Sequence, residues 1–127
     1  MSPSTEQTVI EYFAAIRAMD VERCVAVFSP NAEQHDPVGT PPNIGHDAIR
    51  AFFTQIFSGF QHVGLTENTV FVNGTSAAVK WTGQGLARTG KSVVFEGIDV
   101  LDCDEAGKIV TVRAFWDPAP IMAALKP

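Results

Sequence analysis

Cysteine, histidine and positive charge are all scarce in this 127-residue chain. The two cysteines, Cys24 and Cys103, fit no metal or redox spacing. The three histidines, His35, His46 and His62, are too few and too scattered to argue for a metal. Nine Lys and Arg stand against fourteen Asp and Glu, for a net charge of −5 with no basic run. That balance argues against nucleic acid and anionic membrane as partners. There is no Gly-x-Gly-x-x-Gly, no P-loop and no internal repeat. No apolar run approaches a membrane span, and MSPSTEQ lacks a positive region followed by an apolar stretch. These absences lead to the expectation of a cytoplasmic protein with reduced thiols and no metal site.

What is present is a globular composition. Apolar residues make up 46% and charged residues 18%, enough for a core and too apolar for a disordered chain. The length predicts one domain over 1–127.

The chain is organised around His35-Asp36-Pro37-Val38-Gly39-Thr40-Pro41-Pro42 and the helix that follows it. Pro37 has a fixed φ and no N–H, and it biases Asp36 toward extended backbone. Asp36 therefore ends an extended piece at a rigid point, where a carboxylate can be aimed. A surface Asp-Pro turn is the other reading of the same residues.

Upstream, Ser4-Thr5-Glu6-Gln7 has the form of a capping box. The spacing of Val9, Tyr12, Phe13, Ile16 and Met19 predicts a helix to about residue 19, with Tyr12 on its buried stripe. Such a tyrosine is either a core residue bonded to some carbonyl or a donor aimed into a cavity. Asp20 can cap a short helix that Ser29-Pro30-Asn31 ends. A piece over 32–36 is extended. Ile49, Phe52, Phe53 and Ile56 predict a third helix over about 47–57, with Gly59 as its stop.

From residue 61 the pattern is that of strands: 63–72, a turn at Asn73-Gly74, 76–87, 92–101 and 109–116. Helices followed by antiparallel strands imply an α+β fold with the helices covering one face of the sheet. In 92–101, Asp99 shares its parity with Val93, Phe95, Gly97 and Leu101. A one-residue slip would move that whole set together. A carboxyl on an apolar face is costly unless it is neutral or paired, and desolvation favours the neutral form. The alternative is a strand edge where Asp99 meets water. In 109–116, Val110, Val112, Ala114 and Trp116 form the inward parity, leaving Ile109 and Phe115 on the opposite face.

Tyr12, Asp36 and Asp99 are the set carried by the steroid Δ-isomerases, or ketosteroid isomerases, and the sequence resembles that family. Asp36-Pro37-Val38-Gly39-Thr40-Pro41-Pro42 with Gly45 is similar to its Asp-Pro-x-Gly-x-Pro-Pro loop. Gly97-Ile98-Asp99-Val100 with Asp104-Glu105-Ala106-Gly107-Lys108-Ile109 looks like its third strand and turn. Ala114-Phe115-Trp116 looks like its closing strand. The intervals from Tyr12 to Asp36 and from Asp36 to Asp99 match as well. The resemblance spans nearly the whole chain and is weakest over 58–90.

The resemblance implies a cone-shaped α+β fold shared with nuclear transport factor 2: three N-terminal helices on a curved, mostly antiparallel sheet around an apolar pocket. It also implies a homodimer packed through the sheets, an apolar substrate such as a 3-ketosteroid, and no cofactor. Asp36 would be the general base. Tyr12 and a neutral Asp99 would donate hydrogen bonds to the oxygen of a dienolate, and Trp116 would donate its N–H to Asp36. Ile16, Phe53, Phe95, Val112, Ala114 and Trp116 would form the substrate-binding walls. Ketosteroid isomerase is itself the known case of a carboxylic acid kept neutral to donate a hydrogen bond, so the parity reading of Asp99 is not independent of that case. Two departures stand out. Phe28 and Phe53 occupy positions where some members carry tyrosines supporting the oxyanion tyrosine. His35 precedes Asp36 where a carboxylate is common, and a charged His35 would lower the pKa of the base. The rival readings are a non-catalytic carrier of steroid-like ligands and a cone-fold cyclase or hydratase.

Overall fold

The fold begins at the capping box. In the computed structural model, which describes residues 2–127, the Gln7 N–H donates to Ser4 Oγ (3.1 Å) and the Ser4 N–H donates to Gln7 Oε1 (2.9 Å). Two of the helix's orphan donors are thereby satisfied. Helix α1 runs Thr5–Arg17 and buries Val9, Tyr12, Phe13 and Ile16. It ends before Met19, earlier than expected, because Met19 turns the chain with φ +51°. Asp20 then caps α2, Val21–Ala26, by accepting from the Arg23 N–H at 3.1 Å.

Ser29-Pro30-Asn31 does not end a helix but lies inside a strand, β1, Phe28–His35. Strand β2, Asn43–Ile44, pairs antiparallel with it. Helix α3 is His46–Ser58. A long meander follows: β3 Phe60–Asn73, β4 Ser76–Ala87, β5 Ser92–Cys103 and β6 Ile109–Trp116. The six strands form one sheet in the order β2-β1-β6-β5-β4-β3. The β1–β6 pair is parallel, so the sheet is mostly rather than wholly antiparallel. Its register breaks between Phe28 and Glu33, the stretch that holds Pro30. A proline lacks the N–H that a ladder needs.

The tail is helical. Helix α4, Ala119–Leu125, buries Ile121 and Ala124. Gly59 does stop α3, but at φ −84°, so it is not the left-handed cap. Its use is room: a Cβ there would lie 2.6 Å from Leu125 Cδ2. Strand β6 differs from its parity reading at one end. Cys103 pairs with Ile109 and Asp102 with Thr111, a bulge that takes up Val110. Ile109 is thereby fully buried rather than facing outward, while Phe115 stays exposed.

Helices α1 and α3 and the short α4 cover the concave face of the curved sheet. The inward parities of β4 (Ala77, Val79, Trp81) and β5 (Val93, Asp99, Leu101) meet them. No helix is long and apolar enough to cross a membrane among the described residues.

Candidate active site

Three elements deliver the polar side chains to one cavity. Tyr12 comes from the buried stripe of α1, Asp36 from the end of β1 and Asp99 from the inward parity of β5, and all three line the same cavity. The cavity encloses about 580 Å³, including its open mouth. The loop holding Asp36 is fastened to β6 twice. The Val38 N–H donates to the Ala114 carbonyl at 2.8 Å, and Trp116 Nε1 donates to Asp36 Oδ1 at 2.6 Å. The Asp36–Pro37 bond is cis. Gly39, at φ +102°, turns the loop back.

The walls are hydrocarbon and aromatic. Helix α3 contributes Phe52, Phe53, Ile56 and Phe57, and β3 contributes Phe60, Val63 and Leu65. Ile16, Trp81, Phe95, Trp116 and Ile121 complete them. Tyr12 is 1% exposed and is boxed by the edges of Phe13, Phe28 and Phe53, with ring centroids 5.5, 5.6 and 6.3 Å away. Burial, followed by the charges of Asp99 and Asp36, raises the phenol well above its usual range. Tyr12 is therefore a donor at neutral pH. Gln34, fully buried on β1, pulls the phenol weakly the other way, and its Oε1 accepts from Asn43 Nδ2 at 2.9 Å.

The two carboxyls are separated in acidity. Burial pushes Asp36 up to about 6, opposed by the Trp116 N–H. Burial, and then the charge of Asp36, push Asp99 up to about 8, opposed by the Trp81 N–H. Around neutral pH the pair therefore holds one ionised and one neutral carboxyl, a base and a hydrogen-bond donor facing the same space. Among the described residues no group of His, Cys, Asp and Glu could hold a metal ion.

A model of the SnoaL-like domain matches residues 9–112. The chain belongs to the SnoaL-like domain family. Relatives of this SnoaL-like protein include a Steroid Delta-isomerase of Nocardioides simplex, 25% identical over 123 residues, which are 96% of this chain and 97% of that protein. The Epoxide hydrolase LasB of Streptomyces lasalocidi is 26% identical over 87% of this chain, which matches only 40% of that protein's length. Among solved structures, SalBIII, an epoxide hydrolase/cyclase-like enzyme with a role in pyran ring formation in the polyether salinomycin, superimposes with a TM-score of 0.82 at 27% identity, covering 91% of this chain and 92% of the other. An NTF2-like protein of Burkholderia pseudomallei also gives 0.82, at 22% identity over 97% and 98% of the two chains. The cone-shaped NTF2-like architecture is thus the fold of this SnoaL-like chain.

Of the residues singled out in the sequence, Tyr12, Asp36, Asp99, Ile16, Phe53, Phe95 and Trp116 all line the cavity. Val112 and Ala114 do not. Val112 is fully buried opposite Leu101, and Ala114, at 1% exposure, is paired with Asp99. His35 Nε2 lies 3.5 Å from Glu33 Oε1, and it is burial that sets the direction of the Asp36 shift, upward. Sequence reasoning missed Trp81, the β3 wall and Ile121. Trp81 had a usable signal, because its parity in β4 and the short 88–91 turn together set its register against β5.

Proposed function

We propose that this SnoaL-like protein is a steroid Δ5-3-ketosteroid isomerase, and the observation that carries the reading is the acid–base division of Asp36 and Asp99 beside Tyr12 in one apolar cavity. Asp36 takes a proton from the carbon between the carbonyl and the β,γ double bond. The electron pair moves onto the carbonyl oxygen and gives a dienolate. Tyr12 and neutral Asp99 donate hydrogen bonds to that oxygen. Asp36 then returns the same proton to the γ carbon, and the double bond is left in conjugation. A preorganised oxyanion donor is worth about 3–4 kcal/mol at the transition state. The Trp116 bond occupies Asp36 Oδ1 and leaves Oδ2 to carry the proton. No cofactor is required, and the hydrocarbon walls suit a flat steroid skeleton.

A second reading, epoxide opening, is favoured by LasB and SalBIII. Neutral Asp99 would give its proton to an epoxide oxygen while Asp36 takes one from an attacking hydroxyl. One assay pair separates these from a carrier. Incubation with a β,γ-unsaturated 3-ketosteroid should raise the absorbance of the conjugated ketone, with an optimum between about pH 6 and 8. No absorbance rise with a bound steroid would point to a carrier, and turnover of a hydroxy-epoxide instead would point to the second reading.

The homodimer is proposed from the outer face of the sheet. Phe71, Val94, Ile98 and Phe115 are exposed there, with Ile98 and Phe115 directly paired across β5 and β6. Exposed apolar side chains gathered on one sheet face, here interleaved with the Lys80–Glu96 ion pair, suit an interaction surface. Sedimentation at micromolar concentration should give a dimer, and Ile98→Glu should give a folded monomer. A wild-type monomer at that concentration would overturn the assignment.

A further inference from the structure

The cavity contains two carboxyl–indole pairs, and only the Trp116–Asp36 pair enters the mechanism above. In the other, Trp81 Nε1 donates to Asp99 Oδ1 at 2.8 Å, with each residue 2% exposed. Trp81 pairs with Gly97 across β4 and β5, which puts Asp99 one step along the same face, within reach of a long side chain. Gly97 makes the approach possible. A Cβ there would lie 2.5 Å from Trp81 Cζ2, 2.5 Å from the Phe115 carbonyl oxygen and 2.9 Å from Trp116 Cβ. The Phe95 ring stands between the two indoles, 5.6 Å from Trp81 and 6.1 Å from Trp116. Gly83 in turn leaves room for that ring, since a Cβ at 83 would meet Phe95 Cζ at 2.5 Å.

We propose that Trp81 is a positioning residue for Asp99: its N–H occupies Oδ1, so the carboxyl proton is confined to Oδ2 and aimed at the oxygen of the substrate. The catalytic consequence rests on the isomerase reading; the placement of the proton does not. An indole N–H can only donate, and a neutral carboxyl offers one accepting oxygen and one O–H. With Oδ1 engaged as acceptor, the hydrogen belongs on Oδ2. Without Trp81, the proton divides between two oxygens and the carboxyl can turn about its last bond, so fewer molecules present the donor in the productive direction.

The surroundings leave Trp81 alone in this role. The titratable groups sharing the cavity with Asp99 are Tyr12 from α1 and Asp36 from the end of β1. The flanking strands present Val79 and Trp81 from β4, and Ala114 and Trp116 from β6. The α3, α4 and β3 walls are apolar, and among the described residues no cation shifts Asp99. Only the Trp81 hydrogen bond opposes the upward push of burial and of Asp36 on this carboxyl.

The test is Trp81→Phe, which keeps an aromatic ring and removes the N–H. For an active isomerase, kcat should fall about tenfold, the size of one hydrogen bond, with KM within about twofold. The alkaline limb of kcat/KM should move to higher pH, because the ionised form of Asp99 loses a donor, while the acid limb set by Asp36 stays in place. A carboxyl-carbon NMR titration of Asp99 reads the same shift without turnover. An Asp99 titration equal to wild type overturns the proposal. A raised titration with unchanged kcat overturns its catalytic half. A raised titration in a protein whose wild type turns over no ketosteroid upholds the placement of the proton and removes the isomerase reading instead. If Trp81→Phe does not fold, the indole N–H signal of Trp81 in the wild type decides. A signal that moves as Asp99 titrates supports the bond, and one that is flat with pH overturns it.

Discussion

Under the proposed isomerase mechanism, Asp36→Asn should lower isomerisation by about 10²–10⁴-fold, the range of a positioned general base, while steroid still binds. Asparagine is close in shape to aspartate, and its amide oxygen can go on accepting from Trp116 Nε1, which now donates to Asp36 Oδ1. The Val38–Ala114 bond that fastens the loop involves only backbone and is untouched. The variant therefore loses the ability to take a proton and little else. The loss should appear in kcat, with the dissociation constant for a product ketosteroid within a few-fold of wild type. A 10⁴-fold loss is about 5.5 kcal/mol of transition-state stabilisation, too large for a small shift of the loop. Activity within threefold of wild type would show that another group carries the proton. At the acid side, wild-type activity should fall as pH drops through about 6, where Asp36 protonates.

Much of this site is readable in the sequence because the responsible interactions are local or periodic. The capping box and the α1 stripe depend on residues three or four apart, so spacing alone puts Tyr12 on the inner side of its helix. The alternation in β5 has period two, so the inward position of Asp99 follows from its neighbours, and Asp99 is 2% exposed. What cannot be read depends on long-range pairing. The extended piece over 32–36 is the second half of β1, but its first half contains Pro30 and belongs to the sheet through the parallel neighbour β6. The bulge at Val110 reverses the end of β6 and buries Ile109, and no local pattern announces it. Val112 and Ala114 lie on the inward face as their parity implies, but they are buried against the strand neighbours rather than at the cavity, and parity alone does not separate the two. The Gly97 requirement belongs to the same class, since it reflects contacts with β4 and β6 rather than its own turn geometry.

The second large effect concerns Asp99, and its content is a ranking: wild type above Asp99→Asn above Asp99→Ala. The wild-type donor is a neutral carboxyl at pH 7, because burial and the charge of Asp36 push its pKa up to about 8. In Asp99→Asn the amide oxygen can accept the Trp81 N–H as Oδ1 does now, which turns the NH₂ toward the cavity as a neutral donor. That variant should keep much of the activity. In Asp99→Ala the donor is gone and the Trp81 N–H is left unpaired in the core. Loss of one oxyanion donor costs about 10²–10³-fold in kcat. Stability gives a second reading of the same proton. A folded pKa near 8 lies above the unfolded value of about 3.9. The folded wild type therefore binds a proton that the unfolded chain has released, and its stability falls as pH rises from about 4 to 8. Asp99→Asn carries no such titration, so its Tm should gain on that of wild type across that window and hold the gain above it. Equal kcat for the Asn and Ala variants would show that the hydrogen on residue 99 is not what the reaction uses. A Tm difference that stays flat from pH 4 to 8 would show that the carboxyl is not held neutral.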